Sequence, residues 1–246
     1  ILIFALAGLI FVPLDKEIIV YIILVVAAMF TGYLDDAAKT PWGEYKKGLL
    51  DLLLAVLVAL NYLTYNPATV EFMLFNVTVT MPVIVFAILV VILVWASINV
   101  TNCADGVDGL SGTLTIITLL TIYGIFKIKD NLGSISFLIL LFCVCILGYL
   151  WYNANPSRML MGDAGSRAMG IFIAIAILKT GSPVLYLLVA AVLILDGGLG
   201  LVKVALLRFL KIKILKNTRT PLHDHTRKNM GWSGSQTVVR FAIIQI

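Results

Sequence analysis

The chain has 246 residues, 61% of them hydrophobic and 13% charged, with a formal net charge of +5. A water-soluble domain carries about half apolar and about a quarter charged residues, so this balance, with a mean hydropathy of +1.05, excludes a soluble globular protein and fits several spans of about 20 apolar residues. In such a chain the positive excess reports orientation in a bilayer, and no nucleic-acid partner is expected.

Apolar runs fall at 1–12, 18–34, 48–65, 82–98, 110–126, 135–152, 168–178, 184–207 and 237–246. Only helices and closed barrels satisfy the backbone in lipid, and a barrel strand would alternate in polarity, whereas these runs are continuous. The expected fold is therefore an all-α polytopic membrane protein, a single transmembrane domain over 1–246. No secretory signal is visible and the first residue is Ile1, so the chain is expected to be trimmed at its N-terminus and also at its C-terminus, inside spans. Val70–Thr80, VEFMLFNVTVT, is rich in β-branched and aromatic residues and predicts a small β-hairpin on the outer face.

Alternating the spans places loops 35–47, 99–109, 153–167 and 208–236 on one side. That side holds Lys39, Lys46, Lys47, Arg158, Arg167, Arg208, Lys211, Lys213, Lys216, Arg219, Arg227 and Lys228; the other holds Lys16, Lys127, Lys129 and Lys179. The excess assigns the first side to the cytoplasm. Most acidic and amide loop residues fall there too, the densest of them in four segments.

The first segment, Gly32-Tyr33-Leu34-Asp35-Asp36, is followed by Lys39 and Lys47. Adjacent carboxylates repel, so Asp35 and Asp36 call for a cation, either Mg²⁺ or Lys39, which on a continued helix is within pairing reach of both. A hydrated acidic pair at a span end is the plainer reading. In the second segment Asn99, Asn102, Asp105 and Asp108 recur every three residues, and Gly106 and Gly109 permit a bend. On a helix that spacing makes a slow spiral of amides and carboxylates suited to a base or ribose; a polar loop capping the next helix is the alternative. The third, Met161-Gly162-Asp163-Ala164-Gly165-Ser166, sets a carboxylate before a span, as a hard-oxygen ligand for Mg²⁺ or as a helix N-cap.

The fourth segment, Pro221-Leu222-His223-Asp224-His225-Thr226-Arg227-Lys228, reads as a strand-like loop in a basic stretch. His223 and His225 lack a nearby third zinc ligand and suit phosphate contacts instead; the early part of the stretch, Arg208–Lys216, also suits anionic lipid. Cys103, Cys143 and Cys145 form no disulfide framework, and the last two read as packing residues. Asp196 and Lys203, seven apart in one span, are expected inside the bundle as a pair. Walker A, GxGxxG, HExxH and GxSxG motifs do not occur.

GYLDDAAK, NVTNCADGVDGLSG, MGDAGS and PLHDH…GW…VVRF, in this order from Gly32 to Phe241, resemble the polyprenyl-phosphate N-acetylhexosamine-1-phosphate transferase superfamily, and within it the MraY branch. The resemblance implies a fold of about ten transmembrane helices in the full chain, a homodimer, and a bacterial cytoplasmic membrane location with the active site on the cytoplasmic face. It implies transfer of phospho-MurNAc-pentapeptide from UDP-MurNAc-pentapeptide to undecaprenyl phosphate, with Mg²⁺ as cofactor and lipid I and UMP as products. Carried over by position, Asp35, Asp36 and Asp163 are the catalytic acids and Asp163 the metal ligand. Lys39 and Lys47 meet donor phosphates. Asn99, Asn102, Asp105 and Asp108 line the nucleotide-sugar side, and His223 and His225 lie beside the pocket.

The chain departs from the family pattern at Asp224, where a histidine is usual, and at Leu160, where a phenylalanine often stands. Two other readings stay open: a WecA-like enzyme using UDP-GlcNAc, and an ion or metal transporter. A transporter would place its carboxylates near the bilayer midplane, whereas these cluster at span ends.

Overall fold

The computed structural model of the chain describes residues 1–13 and 15–246. It is an all-α bundle: α1 (Leu2–Phe11), α2 (Lys16–Asp36), α3 (Glu44–Tyr65), a hairpin of β1 (Thr69–Phe72) and β2 (Val77–Thr80), α4 (Val83–Cys103), α5 (Leu110–Ile128), α6 (Ser134–Asn153) and α7 (Gly162–Lys179). A broken segment follows, with a 3₁₀ turn at Pro183–Leu185, α8 (Tyr186–Val189), α9 (Ala191–Leu193), a π-helical turn at Ile194–Gly198 and α10 (Leu199–Phe209). Two further helices, α11 (Leu222–Lys228) and α12 (Gly234–Gln245), complete the described chain.

Five helices, α2 to α6, are long and apolar enough to cross a membrane, and the broken segment, bent by 76°, makes a sixth candidate. The protein is therefore a multi-pass membrane protein. Ile84, Ile88 and Ile92 lie one turn apart on α4 and are exposed, an outward apolar stripe that suits lipid rather than water. The run expected as one span over 184–207 is not a straight helix, because the 76° bend divides it.

α7 is the axis of the bundle. Every residue from Gly165 to Leu178 is buried, and α2 and α4 pack along it. Its middle reads AMGIFIAIAI, small and branched residues that let neighbours approach from all sides. Phe4 meets Phe142 edge-on at 4.7 Å and Phe142 stacks on Phe172 at 4.5 Å, tying α1, α6 and α7 together. The expected short span at 168–178 is thus the interior part of a longer helix that begins at Gly162.

The expected hairpin is present. Val70 stands opposite Val79 in antiparallel register, and Asn76 closes the turn at φ 50°, a conformation asparagine tolerates better than most residues. It sits at one end of the bundle, where the Glu71 N–H donates to the Gly181 carbonyl (2.8 Å) and Lys129 donates to Glu71. The four polar segments gather at the opposite end. The sequence-based sidedness of the loops, hairpin on one face and acidic segments on the other, therefore matches the fold.

Candidate active site

α2 delivers Asp35 and Asp36 from its last turn, and α7 delivers Asp163 from its first. Gly32 makes the approach possible: a β-carbon there would fall 2.3 Å from the Asp163 carbonyl group. The two helices touch backbone to backbone at that point, which is the physical content of a glycine three residues before Asp35. Asp36 Oδ2 then accepts from the Ala164 N–H at 3.2 Å, in the first turn of α7, where helix dipole and free N–H groups favour an anion.

Lys47, one turn into α3, closes the cluster. Its ammonium donates to Asp163 Oδ2 at 3.1 Å and is ion-paired with Asp35, whose other oxygen accepts from the Trp42 N–H at 2.8 Å. Asp35 is buried, Asp163 half-buried and Asp36 exposed. Asn102 adds a fourth element: its Nδ2 donates to Asp163 Oδ1 (2.8 Å) and to Ser166 Oγ (3.0 Å). Asp163 is not an N-cap; it lies inside the first turn, with no side-chain cap bond at that terminus.

Lys39 does not join Asp35 or Asp36. The helix that would have carried it alongside them ends at Asp36, and Lys39 is exposed without an ion pair among the described residues. Lys47 takes that place because α3 starts immediately across from α2. Lys46 points elsewhere, 3.3 Å over the Trp42 ring.

The spiral expected of the second segment holds only as far as Asn102. α4 ends at Cys103, and Asp105 and Asp108 leave it in the turn before α5. Asp105 accepts from Ser111 Oγ at 2.5 Å, and Asp108 from the Ser157 N–H at 3.4 Å and Asn155 Nδ2 at 3.5 Å. Enclosure by protein pushes the Asp105 carboxyl up to about 6, against the opposing pull of the Ser111 hydrogen bond. Asn99 lies one turn below Asn102, bonded to the Trp95 carbonyl at 2.8 Å.

The fourth segment is a helix, α11, and not a strand-like loop. Two residues apart on a helix, His223 and His225 face different ways. His223 is buried against Asp196, with Nδ1 2.8 Å from Oδ2, whereas His225 Nδ1 accepts from the Arg219 N–H at 3.3 Å. Asp224, at the position where the family pattern has a histidine, pairs with Lys228 at 2.7 Å, which holds its carboxyl below the ordinary range. The expected Asp196–Lys203 pair does not form; Lys203 donates to the Leu215 and Thr218 carbonyls at 3.1 and 2.9 Å.

Asp51 and Arg167 are additional residues of this site. Lys47 and Asp51 are one turn apart on α3, Asn102 and Asn99 on α4, Asp163 and Arg167 on α7. Below the Lys47–Asp163–Asn102 tier lies a second with inverted charges, in which Arg167 pairs with Asp51 and Asn99 approaches Asp51 at 3.4 Å. Arg167 is 2% exposed, with Nε and Nη1 unpartnered, beside a cavity of about 30 Å³ lined also by Lys47, Asn102 and Asp163. The sequence signal was partial: Asp51 lies inside an apolar stretch and Arg167 at the edge of one, each one turn from a predicted site residue.

Among the described residues no three His, Cys, Asp or Glu side chains form a ready metal shell. The donors nonetheless fit a hard divalent ion. Asp35 and Asp163 already converge on one cation, the Lys47 ammonium, with Asp36 open to solvent beside them. Mg²⁺ is typically held by one or two carboxylates together with substrate phosphates and water.

A lysine shared by two carboxylates, with amides and further acids around it, gathers the polar segments into one site at the end of a membrane bundle. The chain belongs to glycosyl transferase family 4, whose model matches residues 18–181. It is 40% identical over 242 residues to the phospho-N-acetylmuramoyl-pentapeptide-transferases of two strains of Treponema pallidum, an alignment covering 91% of this chain and 67% of each relative. The enzyme of the same name from Helicobacter hepaticus is 31% identical over 120 residues, covering 49% of this chain and 32% of that protein.

Proposed function

We propose that this protein transfers phospho-MurNAc-pentapeptide from UDP-MurNAc-pentapeptide to undecaprenyl phosphate, giving lipid I and UMP, at the cytoplasmic face of a bacterial inner membrane. Membership of glycosyl transferase family 4 and the 40% identity to two transferases of that name support the reaction. The observation that carries it to particular residues is the Lys47 ammonium shared by Asp35 and Asp163.

In the proposed reaction an oxygen of the lipid phosphate attacks the sugar-bearing phosphorus of the donor. The bond from that phosphorus to the bridging oxygen breaks, and UMP leaves with the bridging oxygen. Both partners are anions, so the site must offset their repulsion. Lys47 turns from its carboxylates to the donor phosphates, and Lys39, exposed at the mouth, meets them as they enter. Asp35, released from Lys47, takes the proton of the lipid phosphate. Asn99, Asn102, Asp105 and Asp108 orient the nucleotide and sugar, and His225 borders that pocket. Asp163, with Asp36 beside it, would hold Mg²⁺, which when bound neutralises phosphate charge and stabilises the leaving UMP. A covalent route through an aspartyl phosphate is chemically open, and trapping a phosphorylated aspartate would establish it.

The lipid acceptor needs an apolar place beside these groups. A cavity of about 240 Å³ lined by Met29, Ile146, Tyr149, Leu160, Met161 and Met169 adjoins Ala164 and Gly165, next to Asp163. We assign it to the isoprenoid units nearest the phosphate. The test is UMP release by the purified protein with Mg²⁺ and undecaprenyl phosphate, offered UDP-MurNAc-pentapeptide or UDP-GlcNAc. Turnover of the first donor alone is expected. Turnover of UDP-GlcNAc alone would move the protein to the WecA-like reading, and silence with both donors in folded protein would reject the reaction.

A further inference from the structure

Asp196 is fully buried in the π-helical turn Ile194–Gly198, yet it has no lysine or arginine partner among the described residues. It uses both carboxylate oxygens on one residue of another helix. Oδ1 accepts from the His223 backbone N–H at 2.7 Å, and Oδ2 lies 2.8 Å from His223 Nδ1. An ionised carboxylate only accepts, which would put the hydrogen between them on Nδ1. A buried acid is costly, and π turns are rare and frequently found at functional sites. Here the π turn aims the carboxylate at α11.

With Nδ1 fixed, the ring presents Nε2 at its opposite edge. That edge lies against Gly106: a β-carbon there would fall 2.1 Å from Nε2 and 2.7 Å from Cε1. A side chain at this position would displace the ring, so the glycine in the Asp105–Asp108 turn admits His223. His225 supplies an internal contrast. Its Nδ1 accepts a backbone N–H, so in the neutral ring the hydrogen sits on Nε2.

We propose that Asp196 is a positioning residue: it holds His223 as the Nδ1–H tautomer, with Nε2 turned to the Asp105–Asp108 turn, where it meets a polar group of the nucleotide-bearing donor. The donor contact rests on the phospho-sugar transfer reading; the tautomer does not. Asp196→Asn tests both. The amide has one acceptor and one donor, so with its oxygen on the His223 N–H, its NH₂ faces Nδ1 and drives the hydrogen to Nε2.

The experiment is imidazole ¹⁵N spectroscopy of the protein in lipid nanodiscs, with His223→Ala and His225→Asn assigning the signals of these two rings. It is paired with donor kcat/KM for parent, Asp196→Asn, His223→Ala and the double variant. Opposite tautomers are expected for His223 and His225 in the parent, and reversal at His223 in Asp196→Asn. A fall in kcat/KM of about 100-fold is expected with that reversal, since a wrong tautomer held in place is severely disabling in a histidine-dependent site. In the His223→Ala background the same substitution should cost nothing more, because Asp196 acts through that ring. An Nε2–H His223 in the parent, or a reversed tautomer with kcat/KM within twofold, would overturn the proposal. If no donor were turned over at all, the functional reading would fail, while the spectra would still decide the tautomer.

Discussion

The two ends of the bundle both bury ion pairs, and they use them differently. At the hairpin end Glu17 accepts from Lys179 at 2.9 Å through both oxygens, and also from Tyr21 and Asn66; Lys179 donates further to Asn66 Oδ1 at 3.0 Å. Lys129 likewise divides its ammonium between Glu71 and the Thr180 carbonyl. The Glu17–Lys179 network is closed. At the site end Asp36 is exposed, Lys39 has no ion pair among the described residues, Lys47 is shared between acids on two helices, and Arg167 keeps two donors unspent. Spare hydrogen-bonding and charge capacity, held in place by packing, is what the site end has and the Glu17–Lys179 network lacks, as the proposed ligand site requires.

The sharpest way to break this contrast is Asp163→Asn. It should lower kcat by about 10³-fold or more, the scale of losing several kcal/mol of charge stabilisation, while detergent-solubilised protein keeps its helical circular dichroism. Next, Glu17→Ala should do the reverse. It leaves the half-buried Lys179 with Asn66 but no counter-charge, costing about 1–3 kcal/mol of stability, and thermal unfolding should fall while kcat per folded molecule stays within a few-fold of the parent. Lys47→Met should lower kcat about 10²-fold with a small change in unfolding temperature, and Lys39→Ala should raise the donor KM more than it lowers kcat.

The smallest effect concerns Asp105. Its folded pKa, about 6, lies above the unfolded value of about 3.9. The stability it contributes is therefore complete below pH 4 and lost as pH rises through 6. Asp105→Asn, which mimics the protonated acid, should raise the unfolding temperature by a few degrees at pH 8, a gain that vanishes near pH 4. Equal gains at both pH values would show that the strain there is not electrostatic.

Much of this was legible in the sequence. Continuous apolar runs gave the spans, Val70–Thr80 gave the hairpin, and alternation of the spans sorted the loops into the two ends seen in the fold. Asp35, Asp36, Asn102 and Asp163 converge in the fold, a grouping that only the family resemblance implied. What local pattern could not give was set by helix termini and by contacts between distant segments. α2 stops at Asp36, so Lys47 of α3 rather than Lys39 meets the acids. A seven-residue helix at 222–228 separates the two histidines, and a π turn sends Asp196 to His223 instead of Lys203. Asp51 and Arg167, 116 residues apart, meet only once α3 and α7 pack.

The most direct test of the account follows one phosphorus atom. Donor labelled with ³²P on the sugar-bearing phosphate is incubated with the purified protein, Mg²⁺ and undecaprenyl phosphate, and the label is traced between the lipid and the nucleotide. The account predicts label in the lipid fraction with unlabelled UMP released in equal amount, and none in either product with Asp163→Asn. Label leaving as UDP, with only sugar reaching the lipid, would contradict it.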